Sequence, residues 1–99
     1  MASRARVPQP EIESALAGLP GWALVNNKLH CEYRFADFVA AFSFMTAAAL
    51  MAESMQHHPE WSNVYDKVVI DLTTHDAGGV THKDLEMAAK LNQIAKKLK

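Results

Sequence analysis

Three histidines are placed where proton-transfer chemistry would be possible. His57 and His58 are adjacent and precede Pro59, and His75 lies near the end of a predicted strand. An unperturbed histidine titrates near ~6.5, so an imidazole can act as an acid or a base near neutral pH. Glu53 precedes His57 by four residues, which is one turn of a helix. We therefore expect the Glu53 carboxylate to orient the His57 ring and to favour its charged form.

Two other interpretations of this cluster stay open on the residues alone. The adjacent histidine pair fits a solvated helix end, because Pro59 disfavours helical geometry at the residue before it. Glu53, His57 and His75 would also suit a three-ligand metal site, which their spacing permits but does not demand. The sequence has no His-Glu-x-x-His motif, no nucleophile motif and no Gly-rich phosphate loop.

Composition excludes several classes of protein. A chain of 99 residues suits one domain, and we expect residues 1–9 to form a flexible tail before a single domain over 10–99. The net charge of −1, from 10 basic and 11 acidic side chains, argues against direct nucleic-acid binding. The single cysteine fits a reducing, cytoplasmic compartment, and no apolar run follows the N-terminal arginines to make a signal peptide.

The first half of the chain predicts a helix followed by a hairpin. A short helix is expected over residues 11–17 and a strand over residues 22–25. Asn26-Asn27 tolerates positive φ and suits a tight turn. Residues 28–35 alternate between apolar and polar side chains, which indicates a half-buried antiparallel strand with His30 on its polar face.

The segment from Phe38 to Met55 predicts a helix that is apolar on nearly all sides, with Asp37 as its N-cap. Its uncharged stretch, residues 38–52, is shorter than the ~20 residues that a membrane span requires. One sheet can cover only one side of such a helix. We therefore predict that it packs on its own sheet and on another subunit, with a deep core helix as the alternative.

The second half predicts two further strands and a helix. A short strand is expected at Val64-Tyr65, a turn at Asp66-Lys67 and a longer strand over residues 68–73. Thr81 and Asp84 form a capping pattern for the last helix, which leaves His82 at the surface. The order is α-β-β-α-β-β-α. It predicts an α+β fold in which a four-stranded antiparallel sheet has its helices packed on one face.

Taken together, the motif residues resemble the pterin-4a-carbinolamine dehydratase family, also described as dimerisation cofactors. That family's signature has an acidic residue, three further residues, His-His-Pro, an aromatic residue, another His and then Asp. The matching positions here are Glu53, His57-His58-Pro59, Tyr65, His75 and Asp84. Trp61 and residues 63–67 also look like the family, and the predicted element order agrees along nearly the whole chain.

The resemblance implies a hydro-lyase that removes water from 4a-hydroxytetrahydropterin in tetrahydrobiopterin recycling, without a metal or an organic cofactor. It implies that His57, His58 and His75 surround the pterin as general acid and base, with the two roles unassigned. The expected substrate-binding residues are Glu53, Gln56, Pro59, Trp61, Thr73, Thr74 and Asp84. Asp84 has an alternative role as a capping residue only, and Tyr65 is expected to pack as a structural residue.

The resemblance also implies partners. We expect a homo-oligomer, a dimer or a tetramer, built partly on the helix over residues 38–55. The alternative function is an interaction module, or dimerisation cofactor, that uses the same helix to bridge a transcription factor. An aromatic amino-acid hydroxylase is a further candidate partner, as the source of the substrate. An adaptor does not require the histidines, so their presence favours the enzyme.

Overall fold

A computed structural model describes residues 5–99 and shows a four-stranded sheet with helices on one face. The helices are α1 (Gln9–Leu16), α2 (Phe38–Met55) and α3 (His82–Leu98). The strands are β1 (Ala23–Val25), β2 (Lys28–Arg34), β3 (Glu60–Val64) and β4 (Lys67–Leu72). The strand order is β1-β2-β4-β3, and every neighbouring pair is antiparallel. The predicted fold class and element order are confirmed.

The alternating pattern of β2 and β4 separates the two faces of the sheet. Leu29, Ile70 and Leu72 are fully or almost fully buried and face the helices. His30 and Asp71 are opposite each other on the other face, where they remain partly accessible to solvent. The sheet therefore has one face in the core and one polar face, as an antiparallel sheet commonly does.

The two hairpins differ in how well they were predicted. Asn26 and Asn27 have φ values of 52° and 64°, which confirms the tight turn between β1 and β2. In the second hairpin the turn is at Tyr65 and Asp66, one residue earlier than expected, and Tyr65 has φ 51°. The Asn63 amide stabilises this turn by donating to the carbonyl oxygen of Tyr65 at 3.1 Å. Tyr65 is exposed, so the expectation that it packs was wrong.

Helix α2 is buried along one stripe only. Asp37 caps it as predicted, accepting a hydrogen bond from the Ala40 N–H at 2.8 Å. The residues in the core are Ala41, Phe44, Ala48 and Ala52. The deep-core alternative is therefore wrong. Within residues 5–99, α2 is the helix that is long and apolar enough to cross a membrane, although core helices of soluble proteins meet the same test.

The N-terminal segment is more ordered than predicted. Val7 is buried, and its N–H donates to the carbonyl of Val80 at 2.8 Å. Helix α1 begins at Gln9, because Pro10 sits in the first turn, where its missing N–H leaves no hydrogen bond unmade. The expected flexible tail over residues 1–9 is therefore wrong for its last residues, while residues 1–4 lie outside the described chain.

Candidate active site

The end of α2 determines where the two adjacent histidines go. Gln56 adopts a left-handed conformation with φ 52°, and its N–H donates to the carbonyl of Glu53 at 3.0 Å. The His57 N–H reaches back to the carbonyl of Ala52 at 3.1 Å. These two bonds close a Schellman motif, which reverses the chain and ends the helix. His57 therefore lies beyond the last helical turn.

A cavity of about 470 Å³ opens beside this helix end. The other elements around it are the end of β4, the short 3-10 turn His75–Ala77 and the start of α3. The residues that line it are Gln56, His57, His58, Pro59, Glu60, Thr73, Thr74, His75, Asp76, Thr81 and Lys83. The topology thus brings all three candidate histidines to one cavity.

His57 is held by a carboxylate from another element. Its Nε2 lies 2.5 Å from Oδ1 of Asp84, which is fully buried in the first turn of α3. The other oxygen of Asp84 accepts hydrogen bonds from the Thr74 hydroxyl at 2.8 Å and from the Thr81 N–H at 2.9 Å. The capping box predicted for Thr81 and Asp84 is present. Asp84 therefore caps the helix with one oxygen and binds His57 with the other.

His58 has a carboxylate partner at the surface. Its Nε2 lies 2.8 Å from Oε1 of Glu53, and both side chains are largely exposed. The expected pairing of Glu53 with His57 is therefore wrong. It assumed a continuous helix through His57, whereas the left-handed residue Gln56 turns His57 toward α3 and brings His58 back over Glu53.

His75 has the third carboxylate partner. It lies in the 3-10 turn after β4, not at the end of the strand itself, and its Nε2 is 3.2 Å from Oε2 of Glu60. The Lys28 ammonium donates to the other Glu60 oxygen at 2.6 Å. This hydrogen bond, with the nearby positive charges of Lys28 and His75, holds the pKa of Glu60 below its ordinary value.

Seven of the predicted site residues line the cavity, and the other three lie outside its wall. Asp84 is behind His57, and Glu53 touches the site through His58. Trp61 is on the helix-covered side of β3, where it lines a separate groove with residues of α2. Successive residues of a strand point to opposite faces, and Trp61 pairs with the buried Ile70. Trp61, an expected substrate-binding residue, therefore lies away from the cavity that the three histidines line.

The sequence reasoning missed four residues that line the cavity: Glu60, Asp76, Thr81 as a lining residue, and Lys83. Glu60 could have been found, because a strand that begins directly after Pro59 alternates its faces and points residue 60 to the face opposite that of residue 61. The three-ligand alternative of Glu53, His57 and His75 is not formed. These side chains are each paired with a different residue, and residues 5–99 contain no cluster suited to a metal ion.

The arrangement can donate and accept protons at several points. Each cavity histidine presents Nε2 to a carboxylate, so an ionised carboxylate would accept the N–H and leave Nδ1 as the nitrogen for other contacts. The three pairs differ in exposure, with His57 at 11%, His58 at 65% and His75 at 80%. The cavity therefore combines one sheltered imidazole with two that can exchange protons with water.

Comparisons with known proteins identify the family of this chain. A sequence model of the family described as "Pterin 4 alpha carbinolamine dehydratase" matches residues 5–94. A relative from Solibacter usitatus is 60% identical over 91% of this chain and 95% of its own length, and one from Prochlorococcus marinus (strain MIT 9515) is 48% identical over 88% and 91%. Both are provisionally named pterin-4-alpha-carbinolamine dehydratase.

A solved structure shows the same fold. The crystal structure of a transcriptional coactivator/pterin dehydratase from Brucella melitensis matches with a TM-score of 0.88 and 44% sequence identity. The match covers 91% of this chain and 98% of that one. With the family model spanning most of the sequence and the relatives covering nearly their full length, this chain belongs to the pterin-4a-carbinolamine dehydratase family.

Proposed function

We propose that the protein dehydrates 4a-hydroxytetrahydropterin to the quinonoid dihydropterin by acid–base catalysis with histidine. The observation that carries this proposal is the convergence of three imidazoles on one cavity, each with Nε2 beside a carboxylate. Family membership supports a pterin as the substrate. The cavity of about 470 Å³ falls within the ~300–1,000 Å³ of typical small-molecule sites.

The chemistry needs one proton donor and one proton acceptor. The C4a–O bond of the carbinolamine breaks while an imidazolium protonates the departing hydroxyl, which leaves as water. The N5 lone pair forms the C4a=N5 bond, and a neutral imidazole then takes a proton from the resulting cation. Positioned acid–base groups typically contribute ~10²–10⁴-fold to such a reaction. His57, His58 and His75 supply both roles in this proposal.

Substrate binding is proposed for the other lining residues. Gln56 and Thr73 offer polar groups to the pyrimidine edge of the pterin, and Pro59 offers an apolar surface to its ring. The Thr74 hydroxyl is engaged with Asp84, so Thr74 contributes to the site mainly by fixing that carboxylate. The proposed setting is tetrahydrobiopterin recycling in the cytoplasm, with an aromatic amino-acid hydroxylase as the source of the substrate.

The test is a dehydration assay with chemically generated 4a-hydroxytetrahydropterin, followed by absorbance against the rate in buffer alone. We expect the protein to accelerate the reaction and the acceleration to survive exhaustive chelation. Loss of activity with chelator and its return with zinc would establish a metal-dependent reaction instead. No acceleration at all would refute the proposed function.

We propose a second function, self-association, for the outer face of α2. This face exposes apolar side chains that a monomer would leave in water: Phe38, Val39, Phe42 and Leu50. Contiguous exposed apolar surface marks interaction sites. A second copy of the chain is the proposed occupant, as a dimer or a tetramer, and bridging of a transcription factor is the alternative.

Light scattering at micromolar concentration tests self-association. We expect a mass that is a multiple of 11.0 kDa for the wild type and a lower mass for the Phe42→Glu/Leu50→Glu double variant. A charge on the described surface away from α2, such as Gln93→Glu, serves as a matched control. A monomeric wild type would refute self-association and leave the adaptor role as the use of this face.

A further inference from the structure

Glu60 connects the candidate active site to the start of β2. It lines the cavity and uses its two oxygens for two different partners. Oε1 accepts a hydrogen bond from the Lys28 ammonium at 2.6 Å, and Oε2 lies 3.2 Å from Nε2 of His75. The carboxylate therefore sits between a fixed positive group on the sheet and an imidazole in the cavity.

The sheet register places Glu60 within reach of Lys28. Glu60 is the first residue of β3 and is opposite Asp71 of β4, while Lys28 is the first residue of β2 on the other side of β4. The Lys28 side chain crosses β4 on the polar face to reach Glu60. Groups anchored on neighbouring strands hold their geometry better than groups on loops, and the His75 side chain, in the 3-10 turn after β4, is largely exposed.

The cavity that contains His75 holds charged groups of both signs, and the Glu60 carboxylate lies within reach of its Nε2. The groups that share the cavity with it are Glu60 from β3, Asp76 from the 3-10 turn, Lys83 from α3, and His57 and His58 from the end of α2. The hydrogen bond from Lys28 keeps the pKa of Glu60 low, so this carboxylate is ionised at neutral pH and can accept the imidazole N–H.

The pair of His75 and Glu60 is arranged like the buried pair of His57 and Asp84. Asp84 holds Nε2 of His57 with one oxygen while Thr74 and Thr81 fix the other oxygen. We propose that Glu60, fixed in turn by Lys28, is a positioning residue that orients His75 for proton transfer. This inference rests on the proposed dehydratase function for its catalytic part and on the geometry alone for its structural part.

The structural part is tested first, in the free protein, without any substrate. Three-bond couplings and ring contacts measured by NMR report how many rotamers His75 samples. We expect Glu60→Ala to change one dominant rotamer into an average, Glu60→Gln to retain most of the order, and Lys28→Met to have a smaller effect in the same direction. Glu11→Ala removes the partner of the exposed His82, 3.4 Å away, and should leave His75 unchanged.

The catalytic part is tested by a double-mutant cycle. We expect Glu60→Ala to lower kcat by about two- to fivefold, with Glu60→Gln retaining more of it, because exposed and half-exposed ion pairs contribute modestly. The Glu60→Ala loss should disappear in the His75→Ala background. Glu11→Ala should leave kcat unchanged. Thermal unfolding of each variant separates loss of positioning from loss of fold.

The outcomes distinguish this inference from the proposed function. A His75 rotamer unaffected by Glu60→Ala would overturn the positioning role. The positioning role would also be overturned if the effects of Glu60→Ala and His75→Ala were additive in the double variant and the Glu60→Ala effect were on KM. Such a result would mean that Glu60 contacts the substrate directly. A wild type that is inactive as a dehydratase, with the NMR result as expected, would sustain the structural link and refute the proposed function.

Discussion

His57 and His58 are neighbours in the chain but have opposite surroundings. The His57 ring is mostly buried, and its partner Asp84 is fully buried, with 2.5 Å between Nε2 and the carboxylate oxygen. The His58 ring is largely exposed, and so is its partner Glu53. The left-handed residue Gln56 produces this difference, because it directs one side chain toward α3 and the next toward solvent.

The comparison shows two ways to hold a histidine with a carboxylate. Buried ionic groups are costly unless paired and hydrogen-bonded, so the pair of His57 and Asp84 must form whenever the domain folds. The exposed pair of His58 and Glu53 is screened by water and contributes little to folding. The first pair therefore belongs to the fold as well as the site, and the second belongs to the site alone. The predictions below test this division.

The largest effect is expected from Asp84→Ala. The substitution removes an acceptor used by His57, by the Thr74 hydroxyl and by the Thr81 N–H. Removing one partner of a buried charged pair costs roughly 3–5 kcal/mol, to which loss of a helix cap adds about 1 kcal/mol. We expect the free energy of unfolding to fall by at least about 3 kcal/mol in urea titrations.

Asp37→Ala is the matched control for this change. Asp37 caps α2 from an exposed position, where it accepts one hydrogen bond from Ala40. Its loss should cost only about 1 kcal/mol. Equal losses at the two positions would show that Asp84 acts as a cap and nothing more. If Asp84→Ala does not fold, Asp84→Asn retains one acceptor oxygen and should give a smaller loss in the same direction.

The next prediction distinguishes His57 from His58 by measuring both kcat/KM and the free energy of unfolding. We expect His57→Ala and His58→Ala each to lower kcat/KM by at least about tenfold, as for lost acid–base catalysis. Only His57→Ala should also lower the free energy of unfolding, because it leaves the buried Asp84 carboxylate without its partner. His58→Ala should change stability by less than about 0.5 kcal/mol, as for an exposed position.

Substitutions of the three other histidines test whether the loss of kcat/KM is specific to the cavity. His75→Ala should also lower kcat/KM by at least about tenfold with the fold intact, since its ring is exposed in the cavity. His30→Ala and His82→Ala should leave kcat/KM nearly unchanged, because neither lines the cavity. Similar losses of kcat/KM at all of these positions would mean that the cavity is not the site.

Much of the fold could be predicted because its signals are local. The alternation along residues 28–34 and the Asn26-Asn27 turn specify a hairpin, and Thr81 and Asp84 specify the start of α3. Strand β3 was placed four residues too late. Its first residues are mostly polar and lack strand composition, and pairing with β4 stabilises them as a strand.

Seven residues that line the cavity could be predicted, including its three histidines, but the carboxylate partners of those histidines could not. Spacing along a helix suggested that Glu53 contacts His57, and the conformation of Gln56 broke that helix one residue before the histidine. Asp84 lies 27 residues from His57, so only tertiary packing brings them together. Glu60 reaches His75 for the same reason, because tertiary packing brings the start of β3 and the 3-10 turn after β4 to the same cavity.

A smaller effect is expected from Glu53→Gln. The exposed pair should contribute about 0.2–1 kcal/mol, which corresponds to a loss of up to about fivefold in kcat/KM. If Glu53 acts by orienting His58, this loss should vanish in the His58→Ala background. Losses that multiply in the double variant, with KM carrying the Glu53 part, would instead indicate direct contact with the pterin.

The smallest effect concerns a histidine–carboxylate pair outside the cavity. On the polar face of the sheet, Nδ1 of His30 lies 2.8 Å from Asp71, and its Nε2 lies 3.5 Å from Glu32. The hydrogen bond to Asp71 raises the pKa of His30 above its ordinary value of 6.5, and the charge of Glu32 adds to the effect. This pair is intermediate in exposure between those of His57 and His58.

A pKa that is higher in the folded state than in the unfolded state means that protonation of His30 stabilises the fold. The contribution is fully present below about pH 6.5 and is lost as the pH rises through the raised value. In urea titrations, this interaction should make the wild type more stable at pH 5.5 than at pH 8.5 by less than about 1 kcal/mol. We expect His30→Gln to lack this contribution. His82→Gln, at an exposed helix start, is the control and should leave most of that difference in place. The contrary result is that the wild type and His30→Gln lose the same free energy of unfolding between these two pH values. That result would show that solvent fully screens the interaction of His30 with Asp71, and that only a pair as buried as His57 and Asp84 stabilises the fold.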